Sequence, residues 1–175
     1  MTESLAARIQ ERSHIRGRFR LRSGQVSDEY FDKYRFEGDP HLLREIAEQL
    51  CALVPGDTDA LAGLELGGVP IATVMSQLCG LPTLFVRKEP KPHGTCRLAE
   101  GGEVAGRRLV IVEDVVTSGG QVIDSCRRLR ELGATVEAAV CVIDRAAGGR
   151  ENLAAQSIEL RALLAMSEPG SLHAV

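Results

Sequence analysis

The chain has 175 residues, a formal net charge of −3 at pH 7, 3% aromatic residues and no Trp, so it offers one domain's worth of core but neither the basic field nor the stacking surface of a nucleic-acid binder. Its five Cys, at 51, 79, 96, 126 and 141, are odd in number and form no Cys-x-x-Cys, which speaks against a disulfide framework or a zinc site and fits a reducing compartment. The opening residues lack the apolar stretch of a signal peptide and no run approaches a membrane span, so a cytoplasmic protein with no membrane partner is expected.

Taken in order, Leu5 and Ile9 share one face and predict a helix over residues 2–13. Phe19 and Leu21 then alternate with arginines as on a half-exposed strand, and Ser27 to Arg35 reads as a second strand after a turn. Between Arg8 and Arg22 six arginines stand against one acid, which makes either a solvated face or a cationic rim for a polyanionic substrate. Asp39-Pro40 starts a helix, with Asp as N-cap and Pro in the first turn; Leu42, Leu43, Ile46, Leu50 and Leu53 form its apolar face and Pro55-Gly56-Asp57 ends it.

Ala60 to Leu66 predicts the first core strand, which runs into Gly67-Gly68-Val69-Pro70 and a helix bearing Ile71, Val74, Met75 and Leu78. The paired glycines allow a close backbone approach to a ligand. Pro82 to Val86 is the second core strand, and off its end comes Arg87-Lys88-Glu89-Pro90-Lys91-Pro92-His93-Gly94-Thr95. That segment stays polar to Gly101-Gly102, and Pro and Gly argue against regular structure in it. A long cationic loop inside a compact domain is usually functional.

Leu109 to Val112 reads as a buried parallel strand with two acids, Glu113 and Asp114, at its C-terminal end. The turn Val115-Val116-Thr117-Ser118-Gly119-Gly120-Gln121 follows, and then a helix over 118–132 with a stripe of Val122, Cys126, Leu129 and Leu132, closed by Gly133. A glycine-rich loop that opens a helix at a strand end is a phosphate site. Two carboxylates beside it point to a ligand that also carries hydroxyls or a metal, a sugar phosphate. Neither a Gly-Lys-Ser/Thr nor a Gly-x-Gly-x-x-Gly occurs, which excludes a P-loop and a dinucleotide fingerprint. Val136 to Ile143 makes the next strand and ends in Asp144-Arg145; a short helix over 150–156, a strand from Ile158 to Leu164 and a polar tail complete the chain. Strands and helices largely alternate, which implies a doubly wound parallel sheet, and no nucleophile–base pair is visible.

The stretch from Leu109 to Gln121 resembles the phosphoribosyl pyrophosphate (PRPP) motif of type I phosphoribosyltransferases, with Gln121 where many members carry Ser or Thr. Three further patterns resemble the orotate phosphoribosyltransferases: Phe-x-Leu-x-Ser-Gly with Ser-x-x-Tyr-x-Asp near the N-terminus, Arg-Lys-x-x-Lys-x-His-Gly from Arg87, and Asp-Arg-x-x-Gly-Gly from Asp144. The resemblance covers roughly residues 15–165 and implies a type I phosphoribosyltransferase fold. That fold is a central, mostly parallel sheet flanked by helices, one domain over 1–175 with a small hood from about 1–38.

The activity implied is transfer of the 5-phosphoribosyl group from PRPP to orotate, with Mg²⁺ as cofactor; another base, or a PRPP-sensing regulator, are the alternatives. By the same resemblance Glu113 and Asp114 meet the ribose hydroxyls, Val115 to Gln121 hold the 5-phosphate, and Glu65, Leu66, Gly67 and Gly68 touch the pyrophosphate. Arg87, Lys88, Lys91 and His93 also bind PRPP; Lys91, His93 and Asp114 are the implied catalytic groups, with Lys91 the main cation. Thr117, Arg145 and Arg22 contact orotate, Arg22 standing where the subfamily usually has Lys. A homodimer is implied in which the Lys88, Lys91 and His93 loop closes over the partner's site.

Overall fold

The computed structural model describes residues 3–21, 24–90, 93–94, 97–168 and 171–175. The chain opens with α1 (Leu5–Ser13), whose first turn is capped by Ser4 Oγ accepting the Ala7 N–H at 3.2 Å. β1 (His14–Arg20) and β2 (Val26–Phe31) pair as an antiparallel ribbon apart from the main sheet. The second strand is therefore shorter than the expected Ser27–Arg35. At Asp32 the chain turns, with Asp32 Oδ1 accepting the Tyr34 N–H at 3.2 Å, into a one-turn helix α2 (Tyr34–Glu37).

α3 (Pro40–Cys51) begins as expected: Asp39 Oδ1 accepts the N–H groups of His41 and Leu42 at 3.0 and 3.2 Å, and Pro40 fills the first helical position. Those amides hold the Asp39 carboxyl below its usual range. β3 (Ala60–Leu64), α4 (Gly68–Cys79), β4 (Thr83–Val86) and a two-residue strand, β5 (Ala99–Glu100), follow. The Pro and Gly content predicts an irregular segment up to Gly102, but β5 returns along β4 as an antiparallel edge.

β6 (Arg108–Val116) leads into α5 (Gly120–Glu131), then β7 (Thr135–Asp144), α6 (Gly149–Ala154), β8 (Glu159–Glu168) and β9 (Ser171–Ala174). α5 ends in a Schellman turn: Gly133, at φ +90°, donates to Arg130 O at 2.9 Å, and Ala134 donates to Leu129 O at 3.1 Å. Leu132 is the correction to the expected stripe, because at the turn it is exposed rather than buried. The polar tail forms a strand, β9, antiparallel to β8.

The seven strands stand in the order β5-β4-β3-β6-β7-β8-β9, with the central β4-β3-β6-β7-β8 all parallel. β6 is central and buried on both faces: Leu109 and Ile111 pack into one apolar cluster with Val122, Cys126 and Leu129 of α5. Val110 and Val112 pack into the other, with Ile46 of α3 and Ile71 of α4. Alternate residues thus serve opposite cores, which is why the run reads as continuously apolar. Leu5, Ile9 and Phe36 join that second cluster, so the N-terminal elements rest on the main sheet.

Candidate active site

A cleft of about 370 Å³ opens where β3, β4 and β6 end. Its walls are Glu65 to Gly67, Lys88, the whole run Glu113 to Val122, and, from the N-terminal elements, Lys33 and Tyr34. Topology puts it there: β3 and β6 are neighbouring parallel strands, so the loops at their C-terminal ends meet at one edge of the sheet.

The acidic pair is built into the strand and does not follow it. β6 stays in register with β7 through Glu113, paired with Cys141, and Val116, paired with Asp144. Both acids are buried, at 6% and 0% exposure. Glu113 Oε1 accepts the Asp114 N–H at 3.0 Å and Asp114 Oδ1 accepts the Val115 N–H at 2.6 Å. Burial and the neighbouring Asp114 charge push the Glu113 carboxyl well above the usual range. Burial pushes Asp114 up too, but hydrogen bonds from Glu113, Glu37 and Lys33 and the Lys33 charge outweigh it and hold Asp114 below the usual range.

Lys33 and Glu37 had no signal in any motif. Lys33 Nζ lies 2.5 Å from Asp114 Oδ2, and Glu37, 7% exposed, comes from the same short helix and is electrostatically coupled to Asp114. Burial, then the bond to Asp114, raise the Glu37 carboxyl to about 9, so at neutral pH it carries a proton to donate. The cluster therefore resolves into one ion pair, Lys33 with Asp114, flanked by two acids, Glu37 and Glu113, whose surroundings favour the protonated form.

The loop after β3 passes close to this pair. A Cβ on Gly67 would sit 1.7 Å from Asp114 Oδ2, and one on Gly68 would sit 2.1 Å from Val112 O, so only glycine fits at either position. The Glu65–Leu66 peptide is cis. Glu65 ties three segments together: its N–H donates to Val86 O at 2.9 Å, its Oε2 accepts the Lys88 N–H at 2.9 Å, and its carbonyl accepts Gln121 Nε2 at 3.1 Å. Gln121, the departure from the usual hydroxyl, thus bridges the loops that follow β3 and β6.

Gly119, at φ +78°, turns the chain into α5, and the first intrahelical bond runs from the Ile123 N–H to Gly119 O at 2.9 Å. The N–H groups of Gly120, Gln121 and Val122 precede it, have no carbonyl partner among the described residues, and can hold an anion at the positive end of the helix. α6 braces this loop. Asn152 Nδ2 donates to Ser118 O at 3.0 Å, and Gly149 lies so close to Thr117 that a Cβ would stand 2.5 Å from its carbonyl. Asn152, like Lys33 and Glu37, belongs to no sequence motif.

The other expected site residues divide. Thr117 is exposed on the cleft wall and Lys88 reaches it. Arg87 does not; its Nε is 3.7 Å from Glu100 Oε1 on β5. His93 is exposed and outside the cleft wall, and Lys91 and Arg22 lie outside the described residues. Arg145 is exposed just beyond β7, its N–H donating to Val116 O at 2.9 Å, and its side chain is not part of the cleft wall. Asp144 pairs instead with Arg150, at 3.4 Å, so Arg145 makes no ion pair among the described residues.

Arg128 of α5, also unsignalled, donates to Lys88 O at 2.6 Å and anchors the root of the cationic loop. Among the described residues no three His, Cys, Asp or Glu side chains converge as a metal cage.

Residues 39–159 match the phosphoribosyl transferase domain. The chain is 53% identical over 165 residues to the orotate phosphoribosyltransferase of a Nocardioides species, covering 94% of this chain and 92% of that protein. Among solved structures it superposes on Mycobacterium tuberculosis orotate phosphoribosyltransferase in complex with Fe(III) dicitrate with a TM-score of 0.82 and 31% identity, covering 93% of this chain and 95% of the other. A structure of orotate phosphoribosyltransferase from the same organism in complex with PRPP gives a TM-score of 0.80 and 28% identity, with 93% and 94% covered.

Proposed function

The chain belongs to the phosphoribosyl transferase family, and we infer that within it the protein is an orotate phosphoribosyltransferase of pyrimidine biosynthesis. It transfers the 5-phosphoribosyl group from PRPP to N1 of orotate, yielding orotidine 5′-phosphate and pyrophosphate. The observation that carries this is the convergence, in one cleft, of the glycine-rich helix start, the buried acids on β6 and the tight loop at Gly67 and Gly68. Spaced along one sheet edge, they suit the three parts of PRPP: 5-phosphate, ribose diol and pyrophosphate.

The substrate brings its own leaving group, so the residues here bind, orient and neutralise charge. The α5 amides and Ser118 hold the 5-phosphate. Asp114, kept ionised, accepts hydrogen bonds from the ribose hydroxyls, with Glu113 beside it. Thr117, Arg145 and Arg22 hold orotate; the Arg145 guanidinium, which makes no ion pair among the described residues, supports its part, since it can fork onto a carboxylate. Lys91, assisted by His93, Arg87 and Lys88, neutralises the negative charge that gathers on departing pyrophosphate.

The protein acts as a homodimer whose cationic loop closes over the partner's cleft. The position of Arg87 and His93 away from their own cleft supports that arrangement. Mg²⁺ is the expected cofactor, since a pyrophosphate leaving group calls for a hard cation; it would supply charge neutralisation there, with substrate oxygens and water as its main ligands.

An absorbance assay with orotate tests the function. Consumption that requires both PRPP and Mg²⁺ is expected; PRPP binding with no orotate turnover would overturn the choice of base. Lys91→Ala should cut turnover by about a hundredfold or more while PRPP affinity stays near wild type. Mixing that variant with Asp114→Asn should restore part of the activity if sites are shared, and no recovery after proven subunit exchange would refute trans closure.

A further inference from the structure

The loop expected to face pyrophosphate, Glu65-Leu66-Gly67-Gly68, contains no cation, yet one stands directly beside it. Gly67 packs against Asp114 Oδ2, and Lys33 Nζ lies 2.5 Å from that same oxygen. Lys33 comes from the start of α2, outside every recognised motif, and its side chain is 34% exposed against 1% for Asp114. It therefore reaches from the rim of the cleft to a carboxylate at its floor. Its ammonium is also 5.3 Å from the Tyr34 ring centroid, and both side chains line the cleft.

Glu37, four residues on, lies on the same face of the helix and meets Asp114 from the buried side. Glu37 Oε1 is buried and has no hydrogen-bond partner among the described residues, while the carboxyl's electrostatic coupling is chiefly to Asp114.

We propose that Lys33 is a positioning residue for PRPP: it holds the Asp114 carboxylate charged and aimed at the ribose diol, with Glu37 as the donor behind it. The proposal rests on the assignment of Asp114 to the PRPP site. Its physical basis is the company Asp114 keeps. The ionisable groups that face this cluster are Lys33, Asp32, Tyr34 and Glu37 from α2 and the turn before it, Glu113 from β6, and Cys141 and Asp144 from β7 with Arg150 beyond. Acidic groups dominate, and Lys33 is the cation in contact with Asp114. Without it, three buried carboxyls compete for protons with no compensating charge, and Asp114 becomes the neutral acid that a diol site cannot use.

PRPP dissociation constants measured by calorimetry with Mg²⁺ present, without orotate, test this independently of which base the enzyme uses. Lys33→Met keeps the aliphatic stem and removes the charge. It should weaken PRPP binding by roughly tenfold or more near pH 8, and by more as the pH is lowered toward about 6. Lys33→Arg should recover both the affinity and the flat pH profile. In an Asp114→Asn background, Lys33→Met should add little, because Lys33 acts through Asp114; this pair also removes the unpaired buried charge that could hinder folding of the single variant. Unchanged PRPP affinity in Lys33→Met at both pH values, or full additivity with Asp114→Asn, overturns the proposal. So does an equal loss at both pH values accompanied by a fall in Tm, which would mark a merely structural role. Failure of orotate turnover in a wild type that still binds PRPP would instead count only against the choice of base.

Discussion

Gly67 and Gly68 show how little room the cleft leaves at single positions. Gly68→Ala would drive a methyl into the Val112 carbonyl, a backbone atom that cannot swing aside. It should cost roughly 1–3 kcal/mol or more of stability, read as a lowered denaturation midpoint. Gly67→Ala would instead displace Asp114, so PRPP binding should suffer more than folding. Glu37 and Glu113 carry a pH signature. Both are protonated more tightly in the fold than in the open chain, Glu37 up to about 9 and Glu113 well above its ordinary value. Their contribution is complete at acid pH and is lost as the pH climbs from the ordinary carboxyl range toward the raised values. Asp114 works in the opposite sense, its contribution lost only below its ordinary range. Glu37→Gln, with no proton to lose, should therefore flatten the fall in stability between about pH 5 and 9; an unaltered slope would show that Glu37 is not a buried neutral acid.

At the scale of elements, the phosphate loop depends on α6, a helix of six residues. Asn152→Ala removes the donor to Ser118 O and should raise the KM for PRPP with little effect on kcat, because the loop amides lose their brace before any group that acts in the transition state. The elements that escaped the sequence reading share one property: none is long enough to show periodicity. α2 spans one turn, β5 two residues and β9 four. β9 escaped for a further reason. An edge strand needs only backbone partners on one side, so its side chains need not alternate, and Ser171-Leu172-His173-Ala174 looks like a polar tail until β8 lies beside it. By contrast α3 and α5 were legible to within a residue or two, because Asp39-Pro40 and Gly133 are chemical punctuation that acts locally.

Across the whole molecule, the N-terminal elements and the sheet share one apolar cluster, and this keeps Lys33 and Glu37 over the acids of β6. Ile9→Ala, at a fully buried position, should cost about 2–5 kcal/mol and weaken PRPP binding together with stability, since α1 seats α2. Sequence alone determined the parallel sheet, the succession of core strands and helices along the chain, the PRPP motif with its adjacent acids and the long cationic loop. Each of these rests on signals a few residues apart: a continuous apolar run, a cap, a glycine pair, a cluster of like charge. Tertiary structure decided which charges neutralise which. Lys33 and Asp114 are far apart in the chain, as are Gln121 and Glu65, and neither pair has a local spacing that could announce it. Only folding brings them within bonding distance, and only burial then makes a carboxyl such as Glu37 keep its proton.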